Sequence, residues 1–185
     1  MNKAVFFDRD GTINDLVYRG GNCQVMGKKV CYTAPWNFSE LKIRSGVVPF
    51  LNRLGREGFL RIIITNQPDL EYKTLNIVEH KKIISYLKKM PIDDIYVCPH
   101  GRNQKCLCRK PKPGMILEAA KKWEINLGES FFIGDSLTDI QAGKNVDCKT
   151  IFIKKNIDDE CLEADFIARS IVEAGKIIFS TGKSG

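Results

Sequence analysis

The sequence predicts an α/β fold, with a parallel sheet that is covered by helices on both faces. Five short apolar runs rich in β-branched and aromatic residues alternate with helical patterns along the chain. Each run is nearly continuous in apolar residues, which is typical of parallel strands that are buried on both sides. Gly, Pro, Asp or Asn bounds each run. The order strand, helix, strand therefore indicates right-handed crossovers around one sheet.

The predicted elements follow one another in regular alternation. Strands are expected at residues 4–7, 60–65, 95–98, 131–133 and 150–153. Helices are expected at residues 47–57, 75–89, 114–123, 137–144 and 170–179. An insertion at about residues 16–41 and a loop at about 98–113 interrupt the pattern. Both follow strand ends, where parallel sheets bind their ligands, so both are expected beside a functional site.

Composition favours one soluble globular domain that spans residues 1–185. The chain is 43% hydrophobic and 28% charged, which is an ordinary globular balance. No apolar run approaches the roughly 20 residues that cross a bilayer. A carboxylate at position 8 interrupts any signal-peptide core, so we expect the protein in the cytoplasm and without a membrane partner. It is also expected to be a monomer. The seven cysteines are expected to be reduced.

The formal net charge of +7 leaves two kinds of partner open. A basic surface attracts nucleic acid, and it equally attracts a small phosphorylated molecule. The positive residues are spread over the helical patterns, where they indicate a solvated face. Charge alone does not choose between these partners.

Two carboxylates stand two residues apart directly after the first predicted strand. In this position Asp8 can act as a nucleophile, and Asp10 can protonate the leaving oxygen and later deprotonate water. Gly11 permits the sharp turn that this requires. The same residues could form an ordinary surface turn, since Asp-Gly is a common turn dipeptide. The other strand ends favour the catalytic interpretation.

Polar side chains follow three further strands. Thr65 and Asn66 can hold phosphate oxygens without adding charge. Asp135 would complete a magnesium site with Asp8, and Asp139 could support that site or cap the following helix. Positive charge for the phosphate is expected from a pair after the third strand, Arg109 and Lys110.

Four soft or borderline ligands lie within eleven residues of the loop at 98–113. These ligands, which have the spacing C-x-H-x5-C-x-C, are Cys98, His100, Cys106 and Cys108. Four protein ligands fill a tetrahedral zinc sphere and leave no position for a catalytic water, so a structural zinc ion is predicted. Buried free thiols or a redox pair are the alternatives. Zinc binding would position Arg109 and Lys110, which follow the last ligand.

The chain resembles the haloacid dehalogenase (HAD) superfamily of phosphatases in four segments, at residues 8–14, 65–67, 109–115 and 134–135. The resemblance covers nearly the whole chain. It implies a Rossmann-like domain without a large cap, and hydrolysis of a phosphomonoester through an aspartyl-phosphate. It also implies magnesium on Asp8, Asp135 and the backbone carbonyl of Asp10. The cysteine–histidine loop is similar to the branch that contains heptose-bisphosphate and histidinol phosphatases.

Within that branch, the run at 109–115 favours heptose 1,7-bisphosphate as the substrate, in the supply of activated heptose for cell-surface polysaccharide such as lipopolysaccharide. Histidinol phosphate and a nucleic-acid 3′-phosphate remain alternatives. Another class, a zinc-stabilised nucleic-acid-binding module, would leave the carboxylates without a purpose.

The family's usual Ser-Gly and downstream Arg are replaced by Pro68 and Asp69. His80 is expected at the surface, Cys23 and Cys31 could pair, and Trp36 could contact substrate or fold its own loop.

Overall fold

A six-stranded parallel sheet forms the centre of the protein, in the strand order β10-β9-β8-β1-β6-β7. The structure, a computed structural model, describes residues 1–154 and 161–181. Its strands are β1 Lys3–Phe7, β2 Val17–Tyr18, β3 Gln24–Val25, β4 Lys28–Lys29, β5 Tyr32–Thr33, β6 Phe59–Asn66, β7 Asp94–Cys98, β8 Phe131–Gly134, β9 Lys149–Ile153 and β10 Phe166–Ala168. Its helices are α1 Val47–Arg56, α2 Ile77–Leu87, α3 Gly114–Trp123, α4 Leu137–Lys144 and α5 Ile171–Thr181.

The predicted α/β class is confirmed. All five predicted strands form, each within about a residue of its expected bounds, as β1, β6, β7, β8 and β9. The predicted helices α3 and α4 have the expected bounds, while α2 is shorter at both ends. The edge strand β10 was not predicted. Among the described residues, no helix is both long and apolar enough to cross a membrane.

Alternate side chains of β1 supply two hydrophobic cores, one on each face of the sheet. Val5 and Phe7 pack in the core that α1, α2 and α5 cover. Ala4 and Phe6 pack in the second core, beneath α3 and part of α4. All four side chains are fully buried. This two-sided burial explains the continuous apolar sequence of the strand.

The strand order reverses direction at β1. From β1 the chain moves outward through β6 and β7, and then returns to the other side of β1 to add β8, β9 and β10. A crevice opens at the carboxyl ends of the strands at such a switch point. The residues that follow β1, β6 and β8 therefore meet there.

The insertion at residues 16–41 folds into two small antiparallel strand pairs, β2 with β5 and β3 with β4. Trp36 fixes it to the rest of the domain, because its indole N–H donates to Asp69 over 3.0 Å. Arg19 lies 3.9 Å above the Trp36 ring and forms an ion pair with Glu40. The insertion is therefore in contact with Asp69, one of the residues that depart from the family pattern. Trp36 thus takes part in folding its own loop; the possible contact with substrate stays a prediction.

Candidate active site

Asp8 lies in the crevice beside the ends of two other strands. Its backbone N–H donates to the carbonyl of Ile133 in β8 over 2.9 Å, which continues the sheet by one residue beyond β1. Three carboxylate oxygens, from Asp8, Asp135 and Asp139, lie within 4.8 Å of one another. The expected meeting of Asp8 and Asp135 is therefore present in the structure.

Lys110 lies between two of these carboxylates. Its Nζ atom is 2.6 Å from Asp8 Oδ1, 2.6 Å from Asp139 Oδ1 and 2.7 Å from the carbonyl oxygen of Ile64. The lysine side chain is only 2% exposed. A buried ammonium with three oxygen partners uses all its donors, so Lys110 is held in one position.

Asp139 caps a helix, which is one of the two roles that the sequence left open, and it also contacts Lys110; support of a magnesium site stays a prediction. Its Oδ2 accepts from the backbone N–H and the hydroxyl of Ser136, over 3.1 and 2.6 Å, which caps the start of α4. Its Oδ1 contacts Lys110. The helix cap thereby holds a carboxylate in the crevice.

Burial makes the charge of Asp8 costly. Burial, opposed by the charge of Lys110 and reinforced by the neighbouring Asp139 and Asp135, raises the pKa of Asp8 to about 8. A divalent cation among these carboxylates would favour their ionised forms. Hard oxygen donors of this kind are the ligands that magnesium prefers, so the residues fit that ion.

Gly11 is required by the close approach of Asp135. Its φ of +88° lies in the left-handed region, and a Cβ atom at this position would lie 1.8 Å from Asp135 Oδ2. A side chain here would push Asp135 out of the acidic cluster. The predicted role of this glycine as the residue of a sharp turn therefore has a second reason.

The carboxylate of Asp10 faces a different set of partners. Its Oδ1 accepts from Arg9 Nη2 over 2.8 Å and from Asn14 Nδ2 over 3.0 Å. Its Oδ2 accepts from Gln67 Nε2 over 2.7 Å. The expected metal contact of Asp10 was through its backbone carbonyl, and that contact stays a prediction.

The residues expected to bind phosphate lie at the ends of β6 and of the loop that follows β7. Thr65 is fully buried, and its hydroxyl accepts from Gln67 Nε2 over 2.8 Å. The side chain of Asn66 forms two hydrogen bonds with the backbone of Lys110. It accepts from the Lys110 N–H over 3.1 Å and donates to the Lys110 carbonyl over 3.3 Å. Arg109 is half-buried and donates to the carbonyl of His100 over 2.8 Å. Arg109 is thus tied to the loop.

The four predicted zinc ligands converge in one cluster, Cys98, His100, Cys106 and Cys108. All four ligand atoms lie within 4.8 Å of one another, with 3.2 Å between the sulfurs of Cys98 and Cys108 and 3.8 Å between those of Cys98 and Cys106. A tetrahedron with Zn–S bonds of about 2.3 Å has edges of about 3.8 Å, so the cluster has the size of a zinc site. Burial raises the pKa of Cys98 to about 12, so a metal that binds its thiolate would displace a proton.

His80 corrects a prediction. It was expected at the surface, but it is only 8% exposed. Burial lowers its pKa first, and the charge of Arg9 lowers it further, so the imidazole is favoured in its neutral form. The charges of both Arg9 and Asp10 act on His80, so this side of α2 lies near the loop that follows β1, which a helical pattern alone does not reveal.

Two buried residues of the site, Arg9 and Gln67, were missed as site residues in the sequence. Both are fully buried, although arginine and glutamine are usually exposed. The only available signal was their position, since each stands next to a residue with an expected role.

A HAD-hydrolase-like family model matches residues 107–174. The D-glycero-beta-D-manno-heptose-1,7-bisphosphate 7-phosphatase of Pasteurella multocida is 30% identical over 194 residues, which cover 96% of this chain and 97% of that enzyme. The chain belongs to the HAD-like phosphatases. Another relative, the histidine biosynthesis bifunctional protein HisB of Campylobacter jejuni, is 27% identical over 97% of this chain and 54% of its own length.

The fold of this HAD-like phosphatase is similar to that of a solved relative. The crystal structure of D,D-heptose 1,7-bisphosphate phosphatase from B. bronchiseptica, complexed with magnesium and phosphate, has a TM-score of 0.76. It covers 97% of this chain and 99% of its own, at 23% identity. This likeness confirms the HAD-like fold.

Proposed function

We propose that this phosphatase removes the 7-phosphate of D-glycero-D-manno-heptose 1,7-bisphosphate with magnesium and through an aspartyl-phosphate. The observation that carries the chemistry is the meeting of Asp8 with Lys110, Asp135 and Asp139 at the switch point of the sheet. The similarity to the Pasteurella multocida enzyme over nearly the full length of both chains supports the substrate.

In the first step an Asp8 carboxylate oxygen attacks phosphorus. A bond forms between Asp8 and phosphorus, the bond from phosphorus to the sugar oxygen breaks, and Asp10 gives its proton to that oxygen. In the second step Asp10 takes a proton from water as the water attacks phosphorus. The Asp8–phosphorus bond then breaks and releases inorganic phosphate.

Binding and charge balance are assigned to the residues around Asp8. Thr65, Asn66 and Arg109 are assigned to hold the phosphate oxygens, and Lys110, whose three donors already have partners, supplies positive charge beside them. Magnesium, when bound by Asp8, Asp135 and the Asp10 carbonyl, supplies positive charge that offsets the repulsion between carboxylate and phosphate.

A structural zinc ion on the cysteine–histidine cluster would hold the loop that carries Arg109 and Lys110. The set of three thiols and one imidazole, with separations suited to tetrahedral coordination, supports this assignment. We further place the protein in the cytoplasm as a monomer that does not bind nucleic acid. Size-exclusion chromatography tests the monomeric state, and an oligonucleotide-binding assay at low salt tests the absence of nucleic-acid binding.

The decisive experiment measures phosphate release from a panel of phosphorylated metabolites, with and without magnesium. Wild-type protein should hydrolyse heptose 1,7-bisphosphate only with the ion, and Asp8→Asn should abolish turnover while its circular dichroism is unchanged. Asp147→Asn, at an exposed position, is the matched control and should retain full activity. Turnover by Asp8→Asn at the wild-type rate would remove Asp8 from its role.

A second substrate has one observation in its favour. The similarity to HisB over nearly the whole of this chain supports histidinol phosphate, although the chain spans about half of that bifunctional protein. Both substrates, together with a 3′-phosphorylated oligonucleotide, therefore belong in the panel. A higher kcat/KM for histidinol phosphate would reassign the substrate and leave the chemistry unchanged.

A further inference from the structure

Gln67 occupies a fully buried position one residue beyond β6, between Arg9 and Asp10, which follow β1, and the end of β7. Its backbone N–H donates to the carbonyl of Cys98 over 2.7 Å. The residue is therefore fixed at its backbone by the last residue of a neighbouring strand. Its side chain extends from this fixed point toward Asp10.

The side-chain amide of Gln67 uses each of its polar groups. Nε2 donates to Asp10 Oδ2 over 2.7 Å and to Thr65 Oγ1 over 2.8 Å. Oε1 accepts from Arg9 Nη2 over 2.9 Å. An amide has two N–H donors and one carbonyl acceptor, so these three contacts satisfy it.

The partners also fix which way the amide faces. Arg9 can only donate, and an ionised Asp10 can only accept. The reversed amide would set N–H against the guanidinium and oxygen against the carboxylate. A glutamate at this position would keep an acceptor for Arg9 but set two carboxylates against each other, and a methionine would satisfy neither partner.

The uncharged side chain of Gln67 therefore connects Asp10, the proposed acid and base, with Thr65, which is proposed to bind phosphate. Arg9 and Asn14 hold Oδ1 of Asp10, whereas Gln67 contacts Oδ2. The same nitrogen of Gln67 contacts Thr65. A displacement of about 1 Å at a reacting group can cost roughly 10²-fold in rate, so such a link has consequences for catalysis.

We propose that Gln67 is a positioning residue that holds the carboxylate of Asp10 at a fixed place relative to the phosphate-binding hydroxyl of Thr65. This position would allow Asp10 to transfer its proton to the leaving oxygen. This inference rests on the proposed function, because it requires Asp10 to be the general acid. Gln67 itself touches neither the substrate nor the reacting atoms in this assignment.

The role predicts a dependence on the leaving group. A sugar alkoxide is a poor leaving group and needs the proton that Asp10 supplies, whereas nitrophenolate leaves as an anion without it. Loss of Gln67 should therefore reduce phosphoryl transfer from the sugar much more than transfer from p-nitrophenyl phosphate. A merely structural defect would reduce both in the same proportion.

The test compares kcat/KM for the two substrates, since this ratio reports events up to the first irreversible step. Gln67→Met removes all three side-chain contacts at nearly constant length, and Gln67→Glu removes the donor to Asp10 while it keeps the acceptor for Arg9. Gln141→Met is the control, because Gln141 lies on α4 and contacts Glu163. Circular dichroism and thermal melting monitor the fold of each variant.

With heptose 1,7-bisphosphate, kcat/KM should fall about 10²-fold in both Gln67 variants, and with p-nitrophenyl phosphate by less than about tenfold. The control should match the wild type on both. Equal losses on the two substrates, or no loss in either folded variant, would overturn the proposal. If Gln67→Met does not fold, Gln67→Glu decides alone.

Failure of the proposed function has a different signature. Wild-type protein that hydrolyses p-nitrophenyl phosphate but not the heptose would reject the substrate, and the comparison would proceed with histidinol phosphate as the alkyl ester. Wild-type turnover that survives Asp8→Asn and Asp10→Asn would reject the chemistry. Neither result resembles the selective loss expected from Gln67.

Discussion

Replacement of Lys110 by methionine removes a positive charge from between two buried carboxylates and keeps nearly the same side-chain length. Lys110 Nζ lies 2.6 Å from an oxygen of Asp8 and 2.6 Å from an oxygen of Asp139, and both the lysine and Asp139 side chains are only 2% exposed. The variant would leave these carboxylates without their cation in a site that water hardly reaches.

The cost follows from this burial. Breaking a buried ion pair by removing one partner destabilises a protein by about 3–5 kcal/mol, because the remaining charge is uncompensated. One kcal/mol shifts the Tm of a chain of this size by about 2–4 °C. Lys110→Met should therefore melt roughly 6–20 °C below the wild type when Asp8 is ionised.

The pH dependence has a definite sign. Burial raises the pKa of Asp8 to about 8, while the unfolded chain has an ordinary value near 3.8. The folded state therefore binds this proton more tightly, and the corresponding stability is present at low pH and lost as pH rises through about 8. Lys110 stabilises only the ionised form, so its removal should matter more at pH 9 than at pH 6.

Thermal unfolding in magnesium-free buffer at the two pH values measures this effect. Lys122→Met is the control, because Lys122 forms an ion pair with Asp94 but is 59% exposed. Such a surface pair contributes at most about 1 kcal/mol. A Lys110→Met protein that melted within about 2 °C of the wild type at pH 9, or whose deficit was equal at both pH values, would refute the reasoning.

Three further predictions concern the loop, the turn and the insertion. Cys106→Ser should lower bound zinc, measured by metal analysis, and should lower the Tm, while unchanged zinc content would contradict the assigned cluster. Gly11→Ala should abolish phosphatase activity and destabilise the fold by about 1–3 kcal/mol in chemical denaturation, since its Cβ would displace Asp135. Asp69→Ala should cost about 1.5–3 kcal/mol by the same measurement and increase quenching of Trp36 fluorescence by acrylamide, because it removes a charge-assisted hydrogen bond. Quenching equal to that of the wild type would show that Asp69 does not hold the indole.

Sequence patterns predicted the centre of the sheet well because its strands are largely apolar on both faces. The run at Phe131–Gly134 is fully buried, and such an unbroken apolar run between helical segments is typical of a central parallel strand. The edge strand Phe166–Ala168 was missed for the opposite reason. It has only three residues, of which Ile167 is 41% exposed, so it has too little apolar pattern to be recognised.

The site was predicted where spacing along the chain implies proximity in space. Cys98 and His100 are near each other in sequence, and Asp8 and Asp135 both follow central strands. The partners of Asp10 could not be predicted in this way. Gln67 reaches it across 57 positions of sequence, and that contact depends on side-chain directions which periodicity does not encode.

The side-by-side pairing of Asn66 with Cys98 joins the cysteine–histidine cluster to the site around Asp8 and Lys110. Cys98, a predicted zinc ligand at the end of β7, lies directly beside Asn66 of β6, whose side-chain amide holds the backbone of Lys110. A displacement of Cys98 would therefore act on Asn66 in the adjacent strand, and through Asn66 on the backbone of Lys110.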